Sequence, residues 1–170
     1  VIVMNDSVWR VKESSVFIAG KEIDVSDFFM QRGKESLSVN GKLSESTEEK
    51  LFVKLENFNL ENVSRIALKH RPFLFGIATG SLTLQDYYKN FMLITDFNVD
   101  NWGISRDTLG SLSLRSYWDA DNRNVIVGAE NRVDDAVPLV VQGYYTPEKD
   151  TIDVGIHLEK VGLERLGIYA

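Results

Sequence analysis

The sequence predicts an all-β, antiparallel chain built from repeated units, with helix confined to one or two short pieces. Three observations point there: stretches in which apolar and polar residues alternate, polar breaks at short intervals, and one spacing of apolar residues that recurs three times. Alternation with a period of two puts one apolar and one polar face on a strand. Short strands divided by frequent turns suit an antiparallel sheet.

Taken in order, the elements read as follows. In 36–44, Leu37, Val39, Gly41 and Leu43 alternate with Ser36, Ser38, Asn40, Lys42 and Ser44, which predicts a strand. Residues 110–118 and 125–132 alternate less strictly and predict a hairpin with its tip at 119–124. In 151–159, Ile152, Val154, Ile156 and Leu158 form the apolar set of a further strand. Polar breaks fall at 31–35, 45–49, 119–124 and 146–150. Val, Ile, Thr, Tyr, Phe and Trp are abundant throughout, as pleated half-buried surfaces favour. Residues 60–68 place Leu60, Val63 and Ala67 on one helical face, enough for about two turns, and Pro72 bars anything longer. A second single turn is expected at 162–167.

The repetition carries the domain organisation. Leu55, Phe58, Leu60 and Val63 are spaced by steps of 3, 2 and 3, as are Ile94, Phe97, Val99 and Trp102, and again Leu158, Val161, Leu163 and Leu166. Gly41, Gly80 and Gly143 precede these sets by 14, 14 and 15 residues. Such a strand glycine marks a bend, a bulge or close packing. The chain is therefore read as one β-repeat segment, residues 1–170, with units at 36–68, 76–104 and 139–166 and a hairpin, 109–133, inserted between the second and third. Its candidate apolar lining is Leu55, Phe58, Leu60, Ile94, Phe97, Val99, Leu158, Val161 and Leu163.

Composition narrows the function. Of 170 residues, 44% are hydrophobic, enough for a real core. Lys plus Arg total 19 against 25 Asp plus Glu, for a net charge of -6. That acidic balance, without a basic stripe, argues against a nucleic-acid binder. No apolar run approaches the ~18–20 residues of a membrane-spanning helix. Cysteine is absent, which removes thiol catalysis, disulfides and Cys-based zinc sites. The chain begins at Val1 and is read as a piece of a longer protein.

Chemistry is sought and not found. His70 lies in a polar break and His157 on the polar side of a strand, so neither is read as catalytic. There is no nucleophile elbow, P-loop or dinucleotide fingerprint. Asp119, Asp121 and Glu130 hold the spacing of calcium-loop positions one, three and twelve. Asn124 stands where the turn glycine belongs, however, and Arg123 occupies a ligand position. That stretch is read as a hairpin tip of Asx and turn residues. No catalytic, cofactor-binding or metal-binding residue is expected, and the chain is read as non-enzymatic. What remains is apolar surface: residues 28–30, 73–75 and 91–94, with Trp102. Two readings stay open, a sandwich core between facing sheets or an apolar groove for lipid tails or unfolded protein.

The runs 23–30, 37–44 and 51–60, followed by 76–82, 110–119 and 141–147, resemble the TamB-type translocation and assembly module, a relative of AsmA-like proteins, over about residues 9–166. The resemblance implies a curved antiparallel sheet folded into an open β-taco, or half-pipe, with an apolar interior. It also implies a parent protein anchored in the inner membrane of Gram-negative bacteria and crossing the periplasm. The implied role is outer-membrane biogenesis: phospholipid transport between the two membranes, and assembly or secretion of outer-membrane proteins with a barrel partner. Phospholipid acyl chains would be the immediate partner of this segment, which would not itself span a membrane. The rival expectation is a structural or adhesive β-sandwich that binds a protein partner.

Overall fold

A computed structural model describes residues 1–4, 6–62, 64, 74–134 and 136–159, and 75% of these lie in strands. The strands are β1 (Ile2–Met4), β2 (Ser7–Val11), β3 (Ser15–Ala19), β4 (Glu22–Arg32), β5 (Glu35–Leu43), β6 (Lys50–Asn59), β7 (Leu74–Gln85), β8 (Met92–Ile104), β9 (Asp107–Asp119), β10 (Asn124–Val133), β11 (Ala136–Thr146) and β12 (Thr151–Leu158). All belong to one open, curved, antiparallel sheet. From β4 to β12 each strand pairs with its neighbours in sequence, while β2 and β3 lie end to end along the free side of β4. The described strands thus do not divide into the two facing sheets of a sandwich. The hairpin 109–133 lies in line as β9 and β10, paired to β8 and β11 like any other.

Among the described residues helix is nearly absent. A 3-10 turn, Pro147–Lys149, joins β11 to β12. Residues 61, 62 and 64 are helical, with the Ser64 N–H donating to the Leu60 carbonyl at 2.9 Å. The rest of the helix expected over 60–68, and the turn expected at 162–167, lie outside the described residues.

Curvature has a sequence origin. Three of the bulges that interrupt the register share a sequence pattern, those at Val25/Phe28, Leu55/Phe58 and Val99/Trp102. Each falls in the pattern apolar, polar, Asx, aromatic: Val25-Ser26-Asp27-Phe28, Leu55-Glu56-Asn57-Phe58 and Val99-Asp100-Asn101-Trp102. The Asx residue adopts φ of 54°, 47° and 50° respectively, the left-handed region that Asp and Asn tolerate best after glycine. Two of these residues have their N–H satisfied from across the bulge. Asp27 donates to Asn40 Oδ1 and Asn57 to Thr79 Oγ1, both at 3.1 Å. Bulges bend a strand and raise its twist.

Glycines complete the device. Gly41 pairs with Val25 and Gly80 with Leu55, each directly beside a bulge. At Gly80, φ is +150° and a Cβ would stand 2.1 Å from the Asp96 carbonyl oxygen, so only glycine fits.

The sheet curls hardest at its N-terminal side. Trp9 on β2 and Phe58 on β6 are three strand steps apart, about 14 Å in a flat sheet. Their ring centroids lie 5.7 Å from each other. Both are almost completely buried and pack with Met30, Val11, Phe28, Leu37 and Leu55. A second cluster, Val25, Leu43 and Leu51, adjoins it. The β1–β2 hairpin therefore folds over the concave face at this end.

Candidate functional site: the concave apolar face

Cross-strand partners share a face, so the register reads the lining directly. One row runs Val11, Met30, Leu37 and Leu55, continues through Gly80, Phe97 and Leu114, and ends at Ala129, Val141 and Ile156. It crosses ten strands without a polar member. A parallel row joins Phe58, Ala78, Val99, Leu112, Asn131, Leu139 and Leu158. Because a bulge adds one residue, Leu55 and Phe58 keep the same face although three apart.

On the opposite face the neighbouring row is polar from Ser38 to Gln142, glycine aside, although that face also carries Phe29, Phe52, Ile94, Tyr117, Ile126 and Tyr144. One residue away from the apolar row stand Ser38, Lys54, Ser81, Asp96, Arg115, Gly128 and Gln142. Ion pairs there include Arg115–Asp96 at 3.3 Å, Lys54–Glu56 at 2.7 Å and Lys42–Glu22 at 2.8 Å. At the rim Lys21 donates to Glu45 at 2.5 Å, which holds the Lys21 ammonium above its ordinary pKa and the Glu45 carboxyl below its own. Exposed pairs of this kind add little stability.

Two polar members of the lining, Ser116 and Asn131, are satisfied within the sheet. Ser116 Oγ accepts the Thr95 N–H at 2.9 Å and donates to the Leu93 carbonyl at 2.7 Å. Asn131 donates to the Leu109 carbonyl at 2.9 Å and accepts the Trp102 indole N–H. At one corner Arg32 stacks on Trp9, 5.2 Å from its ring centroid, and pairs with Glu35 at 2.5 Å. Glu35 in turn accepts from the Asn59 N–H at 3.2 Å and from Asn62 Nδ2 at 3.1 Å. This polar cluster closes the corner, where the buried Trp9 indole N–H has no hydrogen-bond partner among the described residues.

Exposure grades along the groove. Met30 and Phe97 are buried, Leu55, Leu114 and Val141 half-buried, and Ile156 and Leu158 on β12 exposed. All eight residues of β12 are exposed, and its outer edge carries no partner strand among the described residues.

Of the residues expected to line a groove, Leu55, Phe58, Phe97, Val99 and Leu158 stand on the concave face, and Leu60 extends it, its N–H donating to the Gly76 carbonyl at 3.0 Å. Ile94 does not: it pairs with Thr83, on the convex face with Phe52. The expected equivalence of Leu55 with Ile94 is corrected accordingly. The register equates Leu55 with Phe97 through Gly80, and Phe58 with Val99 through Ala78. The 94–97 step of three contains no bulge and so crosses the sheet. Val161 and Leu163 lie outside the described residues. Sequence reasoning missed Trp9, Leu114, Ala129 and Val141, and reached Met30 only as part of the apolar run 28–30. The apolar-polar-Asx-aromatic pattern was the available signal for the phase of β4, β6 and β8.

Residues 119–124 form a turn capped by Asp119. Its carboxylate accepts the N–H groups of Asp121 and Asn122 at 3.0 and 3.2 Å and Asn122 Nδ2 at 2.8 Å, which holds its pKa below the ordinary value. Glu130 sits six residues along β10 from Asn124 and faces Arg132. Among the described residues there is no cluster of three His, Cys, Asp or Glu side chains, and no helix long and apolar enough to cross a membrane. No family model matches the chain, and no curated protein or solved structure matches it either.

Proposed function

We propose that this chain is a non-enzymatic segment of a TamB-like, periplasm-spanning protein whose apolar groove carries phospholipid acyl chains between the inner and outer membranes. The observation that carries the reading is the uninterrupted apolar row from Val11 to Ile156, with a polar row one residue away on the other face. An acyl chain laid in the groove exchanges water for side chains at about 0.8 kcal/mol per methylene. A continuous row of similar sites lets the chain slide without leaving apolar contact. Charge or an idle hydrogen-bonding group would create a trap or a barrier, and the pairing of Ser116 and Asn131 within the sheet avoids one at those two positions. The outer edge of β12, without a partner strand among the described residues, favours a second use in the same setting, the holding of an extended segment of an outer-membrane protein by strand addition.

The test is photocrosslinking with a probe residue at Leu114, at Val141 or, as the convex-face control, at Ile94. With vesicles of phosphatidylethanolamine and phosphatidylglycerol, positions 114 and 141 should yield lipid adducts and position 94 should not. A folded protein that gives no adduct at 114 or 141, or equal adducts at all three, overturns the reading.

A further inference from the structure

The two ends of the sheet are finished differently. At the N-terminal end the outermost strands are short, β1 of three residues and β3 of five. At the other end β12 runs for eight residues, all exposed, with no strand on its outer side among the described residues. Natural sheets blunt such an edge with lysine, proline or a bulge. β12 contains neither lysine nor proline, and its register with β11 is unbroken.

The phase of the edge follows from its last bond. The Glu159 N–H donates to the Pro138 carbonyl at 2.9 Å, so odd-numbered residues of β12 turn their backbone groups toward β11 and even-numbered ones turn theirs outward. The outward N–H and C=O groups belong to Ile152, Val154, Ile156 and Leu158. Their side chains lie on the concave face and are 36–69% exposed.

Two such edges fit each other about a two-fold axis at Gly155. Antiparallel pairing centred there sets Ile152 against Leu158 of the second copy and Val154 against its Ile156, and every outward backbone group finds a partner. On the convex face the same register sets Asp153 against His157 of the second copy, twice by symmetry. These are non-hydrogen-bonded positions, where facing side chains stand closest. Asp153 Oδ2 accepts the Tyr144 hydroxyl at 3.2 Å, and His157 Nε2 lies 3.2 Å from Glu159 Oε1 on its own strand. Sliding the pair by two residues one way would set Asp153 against Glu159, two carboxylates; sliding it the other way would leave Asp153 against Gly155. Charge therefore selects the centred register. Gly155 meets itself at the axis, where the close approach of another backbone suits a strand glycine.

We propose that β12 pairs with β12 of a second copy of this chain, antiparallel and centred on Gly155. The axis stands normal to the sheet, so both concave faces look the same way. The apolar row runs on from Ile156 to Val154 of the second copy, and two grooves join into one. The inference rests on the edge and not on the acyl-chain reading, and an extended client segment would compete for the same edge.

Sedimentation equilibrium of the full chain tests this: the mass should rise from 19.3 kDa toward that of a dimer between about 10 µM and about 1 mM. The chain has no cysteine, so Gly155→Cys introduces a single thiol. Its Cα would lie roughly 4.5 Å from its mate, within disulfide reach, and mild oxidation should link the two chains. Thr151→Cys, on the same exposed strand but about 27 Å from its mate, should link at least tenfold more slowly. Ile156→Pro removes an outward N–H without touching the bonds to β11, and should weaken association about tenfold or more with an unchanged circular dichroism spectrum. A chain that stays monomeric throughout the concentration range overturns the proposal. So does a dimer that links no faster through position 155 than through 151, or one that a folded Ile156→Pro variant forms as readily as the parent.

Discussion

A single methyl group, added to each of two strand glycines, tests how the sheet is bent. In Gly80→Ala the new Cβ would stand 2.1 Å from the Asp96 oxygen and 2.7 Å from Phe97 Cα. Both lie far inside van der Waals contact and on backbone atoms that cannot swing aside. β7 and β8 would have to part at the Gly80–Phe97 pair. That forfeits ladder bonds worth about 1 kcal/mol each and leaves alanine at φ of +150°, a further ~1–3 kcal/mol. The total is roughly 3 kcal/mol or more, a fall of about 10 °C in thermal midpoint for a chain of this size. In Gly128→Ala the nearest atom is 3.9 Å away, so the reduced entropy of the unfolded chain should stabilise by about 0.4–1 kcal/mol. Urea melts followed by circular dichroism and tryptophan fluorescence would read both. A Gly80→Ala protein within about 1 kcal/mol of the parent would refute the idea that glycines beside bulges bend this sheet.

Other expectations follow from packing and charge. Phe58→Ala removes an almost completely buried ring and its contact with Trp9. It should cost about 3–5 kcal/mol, seen as a lower urea midpoint and a red-shifted Trp9 contribution to the fluorescence; a loss below about 1 kcal/mol would mean that the β1–β2 hairpin is not clamped onto β6. The bond to Asp153 raises the Tyr144 pKa above its ordinary value, and burial followed by a bond to Asp150 does the same for Tyr145. Any stability these bonds contribute is fully present below the unfolded tyrosine pKa, near 10.0, and disappears as pH rises through the folded values. In an alkaline absorbance titration these two phenols should ionise above the ordinary tyrosine value, and Asp153→Asn should bring Tyr144 forward; an unchanged titration in that variant would show that the bond does not form.

The strands were legible where alternation was unbroken. Residues 36–44 became β5, 110–118 and 125–132 fell within β9 and β10, and 151–159 became β12. The glycine spacing was legible as well, because Gly41 and Gly80 both flank bulges. Phase was not legible, because a step of three between apolar residues has two physical meanings. With an Asx residue in the left-handed region, as at Asn57, the step keeps one face; without it, as between Ile94 and Phe97, it crosses the sheet. Trp9 was hidden for another reason. Its partner Phe58 lies 49 residues away, and a contact made by curling a sheet over itself leaves no local pattern.

The neighbour-to-neighbour pairing from β4 to β12 makes length a quantity inherited in steps of two strands. Adding or removing one whole hairpin restores both chain direction and the facing of the next strand, so every apolar row stays in phase on either side of the change. A lone strand would reverse the direction of all that follows. Each hairpin also finds its own partners nearby in the chain, which favours growth from one end at small entropic cost. A longer path along the concave face thus needs no redesign of the part already built, and distance becomes a matter of how many hairpins are encoded.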